Sequence, residues 1–192
     1  MKPYFTRKES IIITAIEIID DLGFNELSLR EIGNRQGISD SAIYKHFKNK
    51  EEIILAVLDY YSRFDERIMS TINESNLTPK DAILFYIKSM VEVYESQPSI
   101  TSVPRYFELQ KIDSLTVKKA KDIFSERSKF LQRLILKGQF DGSITDKVQS
   151  EDLADAILGL KRTILLKWSM EGYSFLLKNR VEKAVTSILE RF

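Results

Sequence analysis

The sequence of 192 residues has no cysteine and little glycine or proline, with 7 and 4 residues respectively. The absence of cysteine excludes a disulfide scaffold, thiolate metal sites and a cysteine nucleophile. No glycine occurs between Ile38 and Lys137, whereas an all-β fold needs turn residues about every 8 to 12 positions. The sequence therefore favours an all-α fold.

Long hydrophobic runs and an excess of charge of either sign are absent as well. The longest apolar stretch near the start, residues 11–16, contains Thr14 and is followed by Glu17. It is too short for a signal peptide or a membrane span. The chain has 29 basic and 28 acidic residues, which gives a formal net charge of +1. We therefore expect a soluble, cytoplasmic protein.

Apolar residues at helical spacing predict three short helices at the start and a longer one after them. Ser28 is followed three residues later by Glu31, a capping box that starts a helix. Gly37 suits the positive φ of a tight turn, and Ser39 can cap the next helix. Asn49 opens the fourth helix by the same capping pattern. The predicted helices are residues 7–22, 29–36, 40–47 and a long run from 50 to about 68.

The rest of the chain keeps the helical period and shows neither a β-hairpin signal nor an internal repeat. Thr78 and Pro79 form a cap followed by proline at the first helical position. The helices predicted here are residues 79–97, 99–109, 115–139, 150–172 and 175–192, about nine in all. We predict an N-terminal domain at residues 1–50 and a C-terminal helical bundle at residues 51–192, joined by the long fourth helix.

The first three predicted helices have the layout of a helix-turn-helix unit. Residues 41–50, at its end, contain Lys45, His46, Lys48 and Lys50 and no acidic residue. Positive charge and hydrogen-bond donors together suit a DNA phosphate backbone. The same composition also fits an ordinary solvated helix end.

One set of residues carries a resemblance to a known family. Its most specific part runs from residue 37 to residue 50, where aromatic residues stand on both sides of His46. The full set is Ile12, Ala15, Ile19, Gly23, Phe24, Ser28, Leu29, Arg30, Ile32, Gly37, Ile38, Ser39, Ala42, Ile43, Tyr44, His46, Phe47 and Lys50. Over about residues 7–58 the chain resembles the DNA-binding domain of the TetR family of transcriptional regulators. Gly33 departs from the family pattern, which usually has alanine there.

The resemblance implies which residues meet DNA. Asp40, Ser41, Ala42 and Tyr44 would lie on the exposed face of the recognition helix, with Arg30 reaching DNA from the preceding helix. Arginine can bond guanine, and a carboxylate can accept from cytosine. As ordinary surface residues the same side chains would simply be solvated. The other implied contacts, mainly to phosphates, are Ser28, Ser39, Lys45, His46, Lys48 and Lys50.

The last two predicted helices carry more apolar residues than one core contact covers. A two-fold dimer that buries the surplus is the simplest physical answer, although both helices also fit a central core. The resemblance implies that they pair across a dimer as a four-helix bundle. The candidate interface residues are Leu158, Leu165, Val181, Val185 and Ile188.

Aromatic residues are common in the middle helices, which form the effector cavity in proteins that the chain resembles. Small-molecule pockets are mostly apolar with a few polar groups, and Arg105 or Arg162 is available to meet an anion. Each of these residues also fits a purely structural role. The candidate effector-binding residues are Phe85, Tyr86, Met90, Tyr94, Arg105, Tyr106, Phe107, Phe124, Leu131 and Trp168.

The leading hypothesis is a homodimeric repressor that binds a palindromic operator and is released by a small apolar or amphipathic effector. The alternative is a DNA-binding protein of the same fold with an organisational or activating role and no small-molecule effector. An all-α enzyme is poorly supported, because the sequence has one histidine, no cysteine, and no phosphate-loop, dinucleotide-binding or Glu-x-x-His motif. No cofactor, metal or membrane partner is expected.

Overall fold

A computed structural model of the chain describes residues 5–107 and 115–191. Within these residues the chain forms α-helices and two short 3-10 helices, Phe24–Glu26 and Pro98–Thr101, without any strand. The all-α fold predicted from the sequence is confirmed. The α-helices are α1 (Arg7–Leu22), α2 (Leu29–Gln36), α3 (Asp40–Tyr44), α4 (Lys50–Ser62), α5 (Asp65–Glu74), α6 (Pro79–Ser96), α7 (Ser102–Phe107), α8 (Leu115–Phe140), α9 (Ser150–Met170) and α10 (Leu177–Arg191).

The long fourth helix predicted from the sequence is divided into two. Helix α4 ends at Ser62, α5 begins at Asp65, and Arg63 and Phe64 form the turn between them. The carboxylate of Asp65 accepts hydrogen bonds from Nε and Nη2 of Arg127 at 2.6 and 3.0 Å. This pair fixes the start of α5 against α8. The division accounts for ten α-helices in the described part of the chain rather than about nine.

The chain folds into two compact units. The first comprises Met1–Arg63 and Ser99–Asp122, and the second comprises Phe64–Pro98 and Ile123–Phe192. Helix α8 therefore begins in the first unit and continues into the second. The predicted boundary after residue 50 is a functional division and stays a prediction.

In the first unit, α1 packs against α2, α4 and α7. Its buried residues recur every three or four positions, which places one face of the helix in the core. Gln36 at the end of α2 donates from Nε2 to the hydroxyl groups of Ser10 and Thr14 on α1, at 3.1 and 2.9 Å. These bonds tie the end of α2 to α1. Other buried apolar residues of this unit are Leu27, Ile32, Ile43, Phe47, Ile53, Val57, Leu58, Ile100 and Val103.

In the second unit, α10 packs against α6 and α9, and α5 packs against α6. Lys88 of α6 binds Glu182 of α10 at 2.7 Å, and Lys178 of α10 binds Glu92 of α6. These pairs flank an apolar contact between the two helices. The largest buried side chains of this unit include Ile83, Tyr86, Ile87, Phe130, Leu131, Ile157, Trp168 and Leu177.

No helix in the described ranges is long and apolar enough to cross a membrane. The same residues contain no group of three or more histidine, cysteine, aspartate or glutamate side chains arranged to hold a metal ion.

Candidate nucleic-acid interface

Helix α2 begins at a capping serine. Ser28 Oγ accepts a hydrogen bond from the backbone N–H of Glu31 at 3.1 Å, as the sequence predicted. The carboxylate of Glu31 does not complete the capping box, because it accepts from Arg35 Nε at 3.2 Å. Arg35 also binds Asp21 at 2.7 Å. The start of α2 is therefore well fixed, and Arg30 beside it is exposed.

The turn between α2 and α3 depends on two glycines. Gly37 has φ of 64° and ψ of 35°, the left-handed conformation predicted from the sequence. At Gly33 the backbones approach closely, since the carbonyl oxygen of Gly33 accepts from Ile38 N at 3.0 Å. A Cβ atom placed on Gly33 would lie 2.8 Å from the carbonyl oxygen of Ile38 and 3.3 Å from Oδ1 of Asp40. Glycine thus sets the distance between α2 and the start of α3.

Helix α3, Asp40–Tyr44, is shorter than the predicted run to residue 47. The chain leaves the helix in a turn in which the N–H groups of His46 and Phe47 both bond the carbonyl oxygen of Ile43, at 2.8 and 3.0 Å. Ile43 and Phe47 are 0% and 3% exposed. These two apolar side chains anchor α3 on the first unit's core, so its opposite face is directed outwards.

The outward face of α3 carries the residues that the sequence assigned to DNA bases. Ser39, Asp40, Ser41 and Tyr44 are exposed and Ala42 is half-buried. Ser39 does not cap α3 as predicted, because its hydroxyl oxygen lies 2.8 Å from that of Ser41 instead. A short helix that presents hydroxyl, carboxylate and phenol groups beyond the protein surface matches the size and chemistry of a major-groove reader.

Basic side chains follow this face directly. Lys45, His46 and Lys48 are exposed. Their backbone is held by the cap of α4, where Asn49 Oδ1 accepts from the N–H of Glu52 at 2.9 Å. Glu52 Oε2 in turn accepts from the N–H of Lys48 at 2.8 Å. The side chains of Lys45, His46 and Lys48 therefore project from a turn whose backbone is fixed by hydrogen bonds.

Lys50 lies differently from the phosphate contact that the resemblance implied. Its Nζ donates to the carbonyl oxygen of Phe24 at 3.4 Å and stands 4.8 Å from the centroid of the Phe24 ring. Burial lowers the pKa of Lys50. The side chain in this position supports the segment before α2 instead of extending into solvent.

Comparison with known proteins agrees with this geometry. The family model of bacterial regulatory proteins, tetR family, matches residues 11–57. The chain is 35% identical over 75 residues to the tetracycline repressor protein class C of Escherichia coli, which covers 39% of this chain and 31% of that protein. It is 23% identical over 176 residues to the fatty acid metabolism regulator protein of Bacillus subtilis (strain 168), covering 91% and 90% of the two chains.

Residues 11–57 thus match the TetR family over the helix-turn-helix unit. The fold of the chain also matches the solved structure of the transcriptional regulator FadR from Bacillus subtilis in complex with stearoyl-CoA, with a TM-score of 0.76, 22% identity and 95% of each chain covered. The first two curated relatives are matched over only 31% and 30% of their own length. These relatives are named as a repressor and a transcriptional regulator.

The residues predicted to bind an effector fall into three groups. Tyr86, Met90, Tyr94, Leu131 and Trp168 are buried in the second unit. Phe85 and Phe124 are 40% and 65% exposed, so neither side chain lies inside that core. The side chain of Phe107 lies outside the described residues.

Arg105 and Tyr106 form the third group and make their contacts within the first unit. Arg105 Nη2 binds Oδ1 of Asp20 on α1 at 3.3 Å. The Tyr106 ring stacks on the Phe24 ring. Both side chains therefore connect α7 with the end of α1 and the segment before α2, a structural role that the sequence did not indicate.

The predicted dimer residues also differ from one another. Leu158, Leu165 and Ile188 are half-buried, whereas Val181 and Val185 are 1% and 0% exposed within the chain's own second unit. The two valines are core residues of α10, a helix that packs against α6 and α9. Leu166 and Met170, which the sequence analysis did not select, are 48% and 77% exposed on α9.

Arg162, the candidate anion-binding residue on α9, and its neighbour Lys161 differ in exposure. Arg162 is exposed, while Lys161 is 7% exposed in the second unit. Lys161 follows Ile157 by four positions and precedes Ile164 by three, which places it on the buried stripe of α9. A lysine at an apolar position of this pattern was the available signal.

Proposed function

We propose that the protein is a transcriptional repressor that acts in the cytoplasm as a homodimer, binds a palindromic operator and is released by a small-molecule effector. The observation that carries the DNA-binding part is the outward face of α3 followed directly by exposed Lys45, His46 and Lys48. The match of residues 11–57 to the TetR family model supports the same assignment.

In this proposal the two parts of the interface have different tasks. Asp40, Ser41, Ala42 and Tyr44, with Arg30 from α2, contact base edges and supply sequence preference. Ser28, Ser39, Lys45, His46 and Lys48 contact phosphates or sugars and set the register of α3 in the groove. Lys50 does not contact DNA in this proposal and instead supports the segment before α2 through its contacts with Phe24.

The direct test is binding of the purified protein to genomic fragments, including one that flanks its own gene, over a series of salt concentrations. A selective complex that persists at physiological salt, with a palindromic footprint, supports the proposal. Tyr44→Ala should weaken this complex about tenfold or more, and Tyr44→Phe should separate the hydroxyl group from the ring. Equal affinity of wild type and Tyr44→Ala would count against the assignment of α3.

Dimerisation is proposed to use the exposed face of α9 with the adjoining part of α10. Leu158, Leu165 and Ile188 remain candidates, and Leu166 and Met170 extend the apolar surface. Val181 and Val185 contribute to the core beneath it. Two copies paired through such a face would present two recognition helices, as a palindromic operator requires.

Gly159 gives a sharp test of this interface. A Cβ atom on Gly159 would meet no atom within 4 Å in the protomer, so a larger side chain should not disturb the folded chain. Gly159→Arg should produce monomers in sedimentation equilibrium and weaken operator binding, with an unchanged circular dichroism spectrum. The matched control is Asn73→Arg, which places an arginine at an exposed position of α5, away from the proposed interface. A Gly159→Arg protein that remains fully dimeric would exclude this face.

The effector is proposed to bind inside the second unit, whose core contains five of the predicted aromatic and apolar residues. Two comparisons support an effector with an apolar chain: one relative is named a fatty acid metabolism regulator, and the solved FadR structure contains stearoyl-CoA. Release of operator DNA by an acyl compound in an anisotropy assay tests this part. If no acyl compound releases DNA, the alternative without a small-molecule effector gains support.

A further inference from the structure

The second unit contains a lysine in an unusual position. Lys161 is 7% exposed and lies on the buried stripe of α9, between Ile157 and Ile164. The acceptor that the structure gives its Nζ is the thioether sulfur of Met90 at 3.8 Å. A thioether is a weak acceptor, so it compensates little of the cost of removing an ammonium group from water.

The nearby charges do not supply the missing partner. Asp65 uses both carboxylate oxygens for Arg127, at 2.6 and 3.0 Å. Arg127 is itself 7% exposed. Both oxygens of Asp65 are therefore engaged by Arg127, and the positive charge of Arg127 adds repulsion to the cost of burying Lys161. The side chains of Tyr86 and Tyr94 on α6 are also buried in this unit.

The pKa of Lys161 reflects its burial and the charges of its neighbours. Burial, followed by repulsion from Arg127 and opposed by attraction to Asp65, lowers the pKa of Lys161 to about 7. The side chain is therefore poised between an uncompensated ammonium group and a neutral amine. A negative group placed beside Nζ would compensate the positive charge of Lys161 and favour its ammonium form.

We infer that Lys161 binds the anionic group of the effector, and that the effector is an organic anion with an apolar body. This inference rests on the proposed function, because it assigns the polar end of the effector proposed there. Ile157 and Ile164 flank Lys161 on the buried stripe of α9, and Met90 of α6 contacts its Nζ, which suits a hydrocarbon chain or ring next to the charged group. Arg127 binds Asp65 with two hydrogen bonds, and its positive charge would repel a cationic ligand.

A proton must accompany binding if this assignment is right. Above neutral pH most Lys161 side chains are neutral in the free protein, and the bound anion stabilises the ammonium form. At pH 8 a group with a pKa of about 7 is roughly 90% deprotonated, so binding should take up about 0.9 proton. Packing of a neutral ligand would take up none.

The experiment compares three probes at pH 8 by calorimetry in buffers of different ionisation enthalpy: decanoate, decanol and decanoyl-CoA. Decanoate should bind at least about tenfold more tightly than decanol and with uptake of about one proton. Decanoyl-CoA carries its negative charge on phosphates, so proton uptake with that probe instead of decanoate assigns the anion to a phosphate. Proton-free binding of both anionic probes, or no binding of either, overturns the inference.

Lys161→Met, with Lys161→Gln as a second variant, shows whether the lysine is responsible. Methionine has a similar length and suits an apolar site, so the variant should fold and bind operator DNA as wild type does. It should lose both the preference for the anion over decanol and the proton uptake. An unchanged preference in both variants overturns the inference. If wild type binds decanoate with proton uptake but binds no operator, the anion site stands and the proposed repressor function fails.

Discussion

The ring of Tyr106 on α7 lies flat on the ring of Phe24, with centroids 3.4 Å apart and planes inclined by 12°. Phe24 belongs to the short segment between α1 and α2, and Lys50 from the start of α4 donates to its carbonyl oxygen. One aromatic side chain therefore joins the elements that orient the helix-turn-helix unit. Arg105, one residue earlier, binds Asp20 at the end of α1.

Removal of the Tyr106 ring should loosen this junction. Tyr106→Ala should destabilise the first unit by about 1 to 3 kcal/mol, because it loses the aromatic pair and part of its buried area. Operator affinity should fall with it, since Phe24 adjoins the start of α2. Urea unfolding and fluorescence anisotropy measure the two effects. Tyr106→Phe keeps the stacked ring and should lose less stability than Tyr106→Ala. Equal losses in both variants would assign the effect to the hydroxyl group.

The second prediction concerns the close approach at Gly33. Alanine favours a helix by about 1 kcal/mol over glycine, but its Cβ would lie 2.8 Å from the backbone oxygen of Ile38. Because a backbone atom must move, Gly33→Ala should lower the free energy of unfolding by about 1 to 2 kcal/mol and shift α3. Urea titration checks the sign.

Asn34→Ala is the matched control for this change. Asn34 is exposed on the same helix, so the substitution adds helix propensity without a clash and should stabilise slightly. A Gly33→Ala protein that gains as much stability as Asn34→Ala would show that the turn accommodates a methyl group.

The third prediction separates the lysines that follow α3. If Lys45 and Lys48 neutralise phosphates, each alanine variant should reduce the slope of log affinity against log salt concentration by about 0.9. Lys50→Ala should leave that slope unchanged and act through stability, because Lys50 is held on Phe24. Lys147→Ala, at an exposed position outside the proposed interface, is the control and should leave the slope unchanged. A reduced slope for Lys50→Ala would restore it as a phosphate contact.

Local signals explain how much of this architecture could be predicted from the sequence. The caps at Ser28, Asn49 and Thr78 act over three residues, and each is observed where predicted. The positive φ of Gly37 is equally local. The break after Ser62 has no such signal, since Asp65 is held by Arg127, a residue distant in the sequence.

The site divides in the same way. Tyr44 is exposed and Ile43 is buried because they lie on different faces of one short helix, and the helical spacing in the sequence already predicts this difference. The positions of Lys50 and Tyr106 depend on where Phe24 lies, and their partners are far apart along the chain. The burial of Lys161 is harder to predict, because its charge favours the surface whereas its spacing from Ile157 and Ile164 favours the buried stripe of α9.

The last prediction is the effect of pH on stability without any ligand. The pKa of Lys161 is about 7 in the folded protein and near its ordinary value of 10.5 in the unfolded chain. Between these values the unfolded state binds more protons, so the contribution of Lys161 to stability rises with pH. The slope for one group is at most about 1.4 kcal/mol per pH unit. Below pH 7 both states are protonated and this contribution is constant.

Lys161→Met should therefore be more stable than wild type at pH 7, and its advantage should shrink as the pH is raised from 7 to 9. Urea unfolding at fixed protein concentration gives the free energies, and the difference between the two proteins cancels the titration of other groups. Lys147→Met, at an exposed position, should follow wild type at every pH. If the curves for wild type and Lys161→Met run parallel, Lys161 does not titrate in this range, and its ammonium group has a partner that compensates its charge.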